Sequence, residues 1–152
     1  MNDRELMLLA IGQARLAAAE LEVPVGAVIS RNGEVVSVGR NRRETGKNAL
    51  ALAEIEAIGL ACKKLGGWRL WECELFVTLE PCPMCAGAII NSRLRRVVYG
   101  ASDPKAGSCG SVTNLFELPY AHKPELVSGF MAEECSALLT DFFAELRKKK
   151  KV

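Results

Sequence analysis

The sequence predicts a single α/β domain in which helices pack against a partly parallel sheet. Its 152 residues suit one ordinary domain, and its 49% hydrophobic and 25% charged residues are close to the averages of globular proteins. A hairpin pattern near the start is followed by segments in which helical and strand periodicity alternate. We therefore expect one domain over residues 1–147 and a basic tail over 148–152.

The first predicted element is an amphipathic helix. Its apolar residues follow the spacing of one helical face, at Met7, Ala10, Ile11, Ala14, Ala17, Ala18 and Leu21. Asn2, with Glu5 three residues later, predicts a capping box at its start. The next two segments, over 25–29 and 34–38, are rich in β-branched residues and flank an Asn-Gly pair, which tolerates the positive φ angles of a tight turn. They predict a β-hairpin.

Helices and strands alternate over the rest of the chain. A second helical pattern, at Ile55, Ile58, Cys62 and Leu65, ends at two glycines that favour a helix stop. The segments that follow are, in order, a buried strand over 74–78, a short helix after Pro81, a strand over 96–99, a Gly-, Ser- and Pro-rich loop over 101–124, a short strand over 125–127 and a final helix over 131–146. The long loop is a candidate functional segment.

Charge is distributed unevenly along the chain. The formal net charge is +2, but Arg147 and the four lysines at 148–151 supply five positive charges, so the remainder carries −3. No apolar run approaches the roughly 18 residues of a membrane helix, and the acidic opening residues do not resemble a signal peptide. We expect a cytoplasmic protein without a membrane partner. The chain has six cysteines, and in that reducing compartment thiols grouped at short spacing suit metal binding or catalysis better than disulfides.

The strongest chemical motif is Glu80-Pro81-Cys82-Pro83-Met84-Cys85, which lies between a predicted strand and a predicted helix. Two thiols three residues apart at a helix start can converge on one ion, and the free backbone N–H groups there favour the thiolate form. A soft divalent metal, zinc first, fits such a pair. Two buried thiols that pack as small hydrophobes, or a redox pair, are the alternatives. The other four cysteines are scattered and suit packing.

A second motif gives the chain a family resemblance. Ala51-Leu52-Ala53-Glu54, followed after 26 intervening residues by Pro-Cys-x-x-Cys, resembles the zinc nucleoside and nucleobase deaminases. The similarity extends to about residue 143, and segments 22–28, 77–82, 85–89, 96–101 and 133–135 look like tRNA adenosine deaminases. The resemblance implies a three-layer α/β/α cytidine deaminase-like fold with a central mixed five-stranded sheet. It also implies a hydrolase that converts the wobble adenosine of a tRNA anticodon to inosine.

One residue departs from the family pattern. The resemblance implies zinc ligands at Cys82 and Cys85 and a third, histidine ligand at the position where this chain has Leu52. A leucine has no lone pair, so we expect weak or substoichiometric zinc binding. Three explanations are open: an introduced substitution that silences the enzyme, natural drift to a homologue that binds RNA without catalysis, and repair of the site by His122 or by Glu54. We favour an impaired site.

The resemblance also implies roles for the other candidate residues. Glu54 corresponds to the carboxylate that moves protons between a zinc-activated water, the ring nitrogen and the leaving ammonia. Asn41 corresponds to a residue that hydrogen-bonds the purine, Val25 and the backbone of Ala53 to the base pocket, and Asp103 to a loop residue beside the flipped nucleotide. Taken alone, Glu54 is also a favourable acid in the first turn of a helix, and Asn41 and Asp103 are ordinary turn residues.

Basic residues provide separate support for an RNA partner. They form two clusters in the sequence, Arg40, Arg42, Arg43 and Lys47, and Arg93, Arg95 and Arg96. The family resemblance adds a homodimer into which a tRNA anticodon loop inserts. Two alternatives to a tRNA deaminase remain: a non-catalytic RNA-binding or dimer-forming homologue, and a deaminase of free bases such as guanine or cytosine, which would use the same Glu54, Cys82 and Cys85.

Overall fold

Five strands form one mixed sheet, in the order β2-β1-β3-β4-β5, in the computed structural model, which describes residues 1–150. The strands are β1 (Gly26–Arg31), β2 (Glu34–Arg40), β3 (Cys73–Leu79), β4 (Arg96–Ala101) and β5 (Glu125–Val127). Strand β1 pairs antiparallel with both β2 and β3, whereas β3–β4 and β4–β5 are parallel pairs. The predicted mixed five-stranded sheet is confirmed.

Four α-helices cover the sheet: α1 (Asp3–Ala19), α2 (Ala53–Leu65), α3 (Pro83–Asn91) and α4 (Ala132–Lys150). Helix α1 ends before Leu21, the last apolar position of its predicted face, because Leu21 has a φ of 63°. Helix α4 continues to Lys150, so residues 148–150 of the predicted tail are helical. The last two residues of the predicted tail lie outside the described residues. No helix within 1–150 combines the length and apolar character needed to cross a membrane.

Alternating strand residues divide the core between the two faces of the sheet. On one face Ala27, Leu75, Val77 and Val97 pack against the alanines of α2 and against α3. On the other face the intervening residues, Val28, Phe76 and Val98, pack against α1 and α4. Burial of each large apolar side chain contributes about 1.5–3 kcal/mol, so both faces need a helical layer. The result is the expected α/β/α order of layers.

Local signals in the sequence account for the start of the fold. The capping box of α1 is confirmed: the Asn2 side chain accepts from the Glu5 N–H at 2.8 Å, and the Glu5 carboxylate accepts from the Asn2 N–H at 3.1 Å. The β1–β2 hairpin turns at Asn32 and Gly33, whose φ angles are 53° and 76°. The Asn-Gly pair therefore adopts the positive φ angles that a tight hairpin turn requires, as the sequence predicts.

Two features bring the beginnings of α2 and α3 together. Because β3 and β4 are parallel, their carboxyl ends share one edge of the sheet, and α3 starts directly after β3. Helix α2 rests closely on β2: a Cβ at Gly39 would collide with the carbonyl oxygen of Ala53, the first residue of α2. The N-termini of both helices consequently face the same edge, where their free N–H groups favour anions.

Candidate active site

Seven of the eight residues singled out in the sequence line one pocket of about 400 Å³. The pocket lies where β3 ends and where α2 and α3 begin. The seven are Val25, Asn41, Leu52, Ala53, Glu54, Cys82 and Asp103. The eighth, Cys85, is fully buried and does not line the pocket. A concave space of this size suits a small organic ligand.

Glu54 lies in the first turn of α2 and is 4% exposed. Burial raises the pKa of its carboxyl to about 7; the neighbouring Cys82 adds to this rise, while hydrogen bonds from its own backbone N–H and from the Cys85 thiol oppose it. A carboxyl with this pKa can take up and release a proton near neutral pH. Its contact with Cys85 joins the first turn of α2 to the first turn of α3.

The two thiols of the Pro-Cys-x-x-Cys motif are in contact at the start of α3. Cys82 is the N-cap residue, Pro83 follows at the first helical position, and Cys85 lies one turn further on. A hydrogen bond from Cys85, helped by the backbone N–H groups of the first turn, outweighs burial and lowers the pKa of Cys82 to about 6. The same bond, with burial and the nearby Glu54, raises the pKa of Cys85 far above its ordinary value. These shifts favour the thiolate form at Cys82 and the thiol form at Cys85.

Leu52 is the N-cap residue of α2, and its side chain makes no capping hydrogen bond. It lines the pocket next to Glu54. Catalytic zinc sites use three protein ligands and a water. Within the part of the chain that the structure describes, no three His, Cys, Asp or Glu side chains are grouped so that they could hold a metal ion. The donors present therefore do not fit a three-ligand zinc site.

The structure does not support repair of this site by His122. Its Nε2 lies 2.6 Å from the carbonyl oxygen of Leu94, and its ring packs edge-on against Trp71 with 6.3 Å between centroids. Leu94 comes just before β4, at the edge of the sheet opposite to the pocket. Glu54 touches Cys85 but is likewise not part of a metal-holding group within residues 1–150.

The remaining predicted residues have defined local contacts. Asn41 is 5% exposed; its amide Nδ2 donates to the carbonyl of Val23 at 3.3 Å, and its Oδ1 accepts from the Arg43 N–H at 3.2 Å. Asp103 Oδ1 accepts from the N–H groups of Lys105 and Ala106 at 3.0 and 3.3 Å, which is the turn-forming contact expected of aspartate. Val25 and Ala53 present apolar atoms to the same pocket.

Two buried acidic residues of the pocket were not identified from the sequence as candidate site residues. Glu22 and Glu80 are 1% and 2% exposed, and both line the pocket. Glu80 stands in the same motif as Cys82, between the apolar strand β3 and a proline, and an acid in such a position was the available signal. A carboxylate at the end of a buried strand needs several hydrogen-bond donors, and only the folded chain shows which donors those are.

The two basic clusters differ in their relation to the pocket. Arg43 lines it, and Lys47 is exposed on the same loop, whereas Arg40 and Arg42 are ion-paired with Glu20 and Glu56. The second cluster lies at the other edge of the sheet, because Arg96 is in register with Glu74 at the start of β3. It is separated from the pocket by the length of β3, about 20 Å. Only the first cluster adjoins the candidate site.

Comparisons with known proteins identify the family of this chain. Residues 1–147 match the model of the MafB19-like deaminase family. The tRNA-specific adenosine deaminase of Bacillus subtilis is 51% identical over 99% of this chain and 94% of its own length. A solved tRNA:A34 deaminase, described in work on A-to-I editing at the wobble position of transfer RNA, is 42% identical, covers 90% of this chain and 99% of its own, and has a TM-score of 0.87.

A guanine deaminase shows how far the fold is shared. The enzyme from Nitrosomonas europaea has a TM-score of 0.84 at 26% identity, over 94% of this chain and 85% of its own. The match to the tRNA deaminases is closer in sequence and nearly complete in length. With its α/β/α layers and with these matches over nearly its whole length, the chain belongs to the tRNA-specific adenosine deaminases of the cytidine deaminase-like superfamily.

Proposed function

We propose that this chain receives the wobble adenosine of a tRNA anticodon loop in its pocket, and that it is a hydrolytic adenosine-to-inosine deaminase whose activity Leu52 impairs. The observation that carries the proposal is the pocket itself, which groups Glu54, Cys82, Asn41 and Asp103 although they are distant in sequence. The relationship to tRNA-specific adenosine deaminases over nearly the whole chain supports the substrate class.

The pocket suits an extruded base. A base that reacts at a ring carbon must leave its stack and enter a pocket shaped to its edge and faces. Val25 and Ala53 supply apolar surface for the faces of a purine. Asn41 uses one amide N–H and one carbonyl lone pair on backbone groups, which leaves a second of each for a base edge. Arg43, at the rim, is available to a phosphate of the RNA.

Glu54 is the residue that we propose for proton transfer. Hydrolytic deamination adds water at C6 of adenine and releases ammonia, so that adenosine and water become inosine and ammonia. One group must take a proton from the water, deliver a proton to the ring nitrogen and complete the leaving ammonia. The Glu54 carboxyl is buried at the inner wall of the pocket, where a base edge would meet it.

Leu52 is the reason for proposing an impaired enzyme. In this family zinc supplies the activated water, and within residues 1–150 the side chains provide two sulfurs without a third ligand grouped beside them. Loss of one ligand from such a site costs about a hundredfold in affinity. We propose that zinc binds weakly or substoichiometrically, with Cys82 and Cys85 as its ligands, and that base binding is retained while turnover is slow.

Inosine formation in an anticodon stem-loop RNA with adenosine at the wobble position tests the proposal. We expect little inosine with the chain as it stands and substantially more with Leu52→His. Turnover by the unchanged chain at the rate of a complete site would disprove impairment. Activity confined to free bases in both proteins would disprove the RNA substrate.

Two other functions are each favoured by one observation. Leu52 favours a non-catalytic RNA-binding or dimer-forming homologue, which would bind the stem-loop but gain no activity from Leu52→His. The shared fold with a guanine deaminase favours a free-base deaminase. We further propose a homodimer and a cytoplasmic location, as the family resemblance implies. Light scattering on the purified protein tests the dimer.

A further inference from the structure

Glu80 is surrounded by donors from one distant segment of the chain. Its Oε1 accepts from the Asp103 N–H at 3.0 Å and from the Ser111 hydroxyl at 2.5 Å. Its Oε2 accepts from the N–H groups of Cys109 and Ser111 at 3.1 and 3.0 Å. The carboxylate is 2% exposed, so nearly all of its interactions are with segment 103–111.

The four donors around Glu80 match the accepting capacity of a carboxylate. Burial by itself disfavours a charged group, and the four hydrogen bonds offset that cost. An ionised carboxylate accepts hydrogen bonds at both oxygens and donates none, which matches four converging donors. An amide of the same size would turn its NH₂ group towards N–H donors.

Packing adds a second constraint on the same segment. A Cβ at Gly107 would collide with the carboxyl carbon of Glu80 and with the carbonyl oxygen of Asp103. The backbone of segment 103–111 is therefore wrapped directly around the carboxylate. Asp103 and Ala106 of this segment line the pocket, so the position of that wall depends on Glu80.

Glu22 binds a second loop that lines the pocket, as Glu80 binds segment 103–111. It is 1% exposed, and its two oxygens accept from the N–H groups of Glu44 and Thr45 at 3.0 and 2.6 Å. Burial opposes ionisation here as well, and these backbone hydrogen bonds lower the pKa. Asn41, Arg43 and Glu44, on the loop that Glu22 holds, line the pocket.

We infer that Glu22 and Glu80 are positioning residues that hold the two loops walling the pocket, and that they determine its affinity for an extruded nucleotide by fixing these loops. They act through the backbone amides of these loops, and Glu80 also through the Ser111 hydroxyl, rather than through the reacting atoms. For the identity of the ligand the inference rests on the proposed function. The positioning of the loops can be measured without any ligand.

The central test compares Glu80→Gln with Glu74→Gln. Glu74 is on β3, which ends directly before Glu80, and its side chain is 17% exposed, but it binds Arg96 and Arg95 at the far edge of the sheet. We expect both variants to lower the melting temperature. Only Glu80→Gln should speed hydrogen exchange at the amides of Asp103, Cys109 and Ser111, and weaken binding of an adenosine-containing anticodon stem-loop about tenfold or more, because buried donors lose their acceptor.

Two further variants test each loop by itself and keep the inference testable if Glu80→Gln does not fold. Ser111→Ala removes one hydroxyl donor and should cause the same changes to a smaller extent. Glu22→Gln should speed exchange at the amides of Glu44 and Thr45 while leaving the 103–111 amides unchanged. Equal exchange and equal RNA affinity in the Glu80 and Glu74 variants would overturn the inference. If the unchanged chain binds no RNA, the proposed function fails, and the exchange measurement still decides whether the carboxylates hold the loops.

Discussion

The guanidinium of Arg96 binds both carboxylate oxygens of Asp3, at 2.7 and 3.1 Å, although the two residues are 93 positions apart in the sequence. The same guanidinium binds Glu74 at 2.9 Å. The first turn of α1 is thereby tied to the starts of β3 and β4, at the edge of the sheet opposite to the pocket. This network stabilises the fold and lies away from the candidate active site.

The Asp3–Arg96 pair predicts a pH-dependent contribution to stability. The hydrogen bond from Arg96 lowers the pKa of Asp3, more than burial raises it, so its stabilising effect exists above the ordinary pKa and disappears as the pH falls through the lowered value. Asp3→Asn should lower the melting temperature at pH 7 and have a smaller effect at pH 3, below the ordinary pKa of the carboxyl. Because the Asp3 side chain is 38% exposed, the loss at pH 7 should be no more than about 1 kcal/mol.

Thermal melts at the two pH values provide the measurement for this pair. Glu117→Gln, which changes an exposed carboxylate on the long loop, is the control and should leave both melts unchanged. A loss of stability in Asp3→Asn that is equally large at both pH values would show that the charge of Asp3 is not responsible.

Leu52→His should restore zinc binding. We expect the metal content of the purified protein to rise from well below one to about one zinc per chain, because a third lone pair completes the site. Leu50→His is the matched control: it also adds a histidine, but Leu50 is 56% exposed and does not line the pocket. Elemental analysis measures the result. Unchanged zinc content in Leu52→His would refute the missing-ligand explanation.

Glu54→Gln should separate metal binding from catalysis. In the Leu52→His background it should keep about one zinc per chain and lower the rate of inosine formation about 10²- to 10⁴-fold, the usual contribution of a general acid–base group. Glu56→Gln is the control, since Glu56 lies on the same helix but pairs with Arg42 at 2.7 Å. Rates measured on the stem-loop RNA decide the matter. An undiminished rate would exclude Glu54 as the proton carrier.

Gly39→Ala should destabilise the protein, while Gly59→Ala should not. A Cβ at position 39 collides with the backbone of α2, and overpacking of this kind costs about 1–3 kcal/mol. Gly59 lies within α2 with no atom within 4 Å of its added Cβ, so alanine there should stabilise by about 0.5–1 kcal/mol. Urea unfolding of both variants measures the difference. A destabilised Gly59→Ala or an unaffected Gly39→Ala would contradict this account of the α2–β2 contact.

Local signals were sufficient to predict the elements of the fold. The alternation of β-branched residues, the Asn-Gly turn and the Asn2–Glu5 capping box each act within a few residues, and the structure has the elements that they predict. The observed end of α1 differs from the predicted one because Leu21 has a positive φ angle, which a helix does not allow. The Cys82–Cys85 pair could be identified because its spacing is itself local.

What the sequence determined by itself, then, is the order of helices and strands, the family to which the motifs point and the departure from it at Leu52. Only the tertiary structure decided which charges matter. It placed Arg93, Arg95 and Arg96 away from the pocket, put His122 against Leu94, and surrounded Glu22 and Glu80 with backbone donors from loops more than twenty residues away. The physical reason is that a buried polar group must find its partners wherever the folded chain brings them, and sequence spacing carries no record of such long-range contacts.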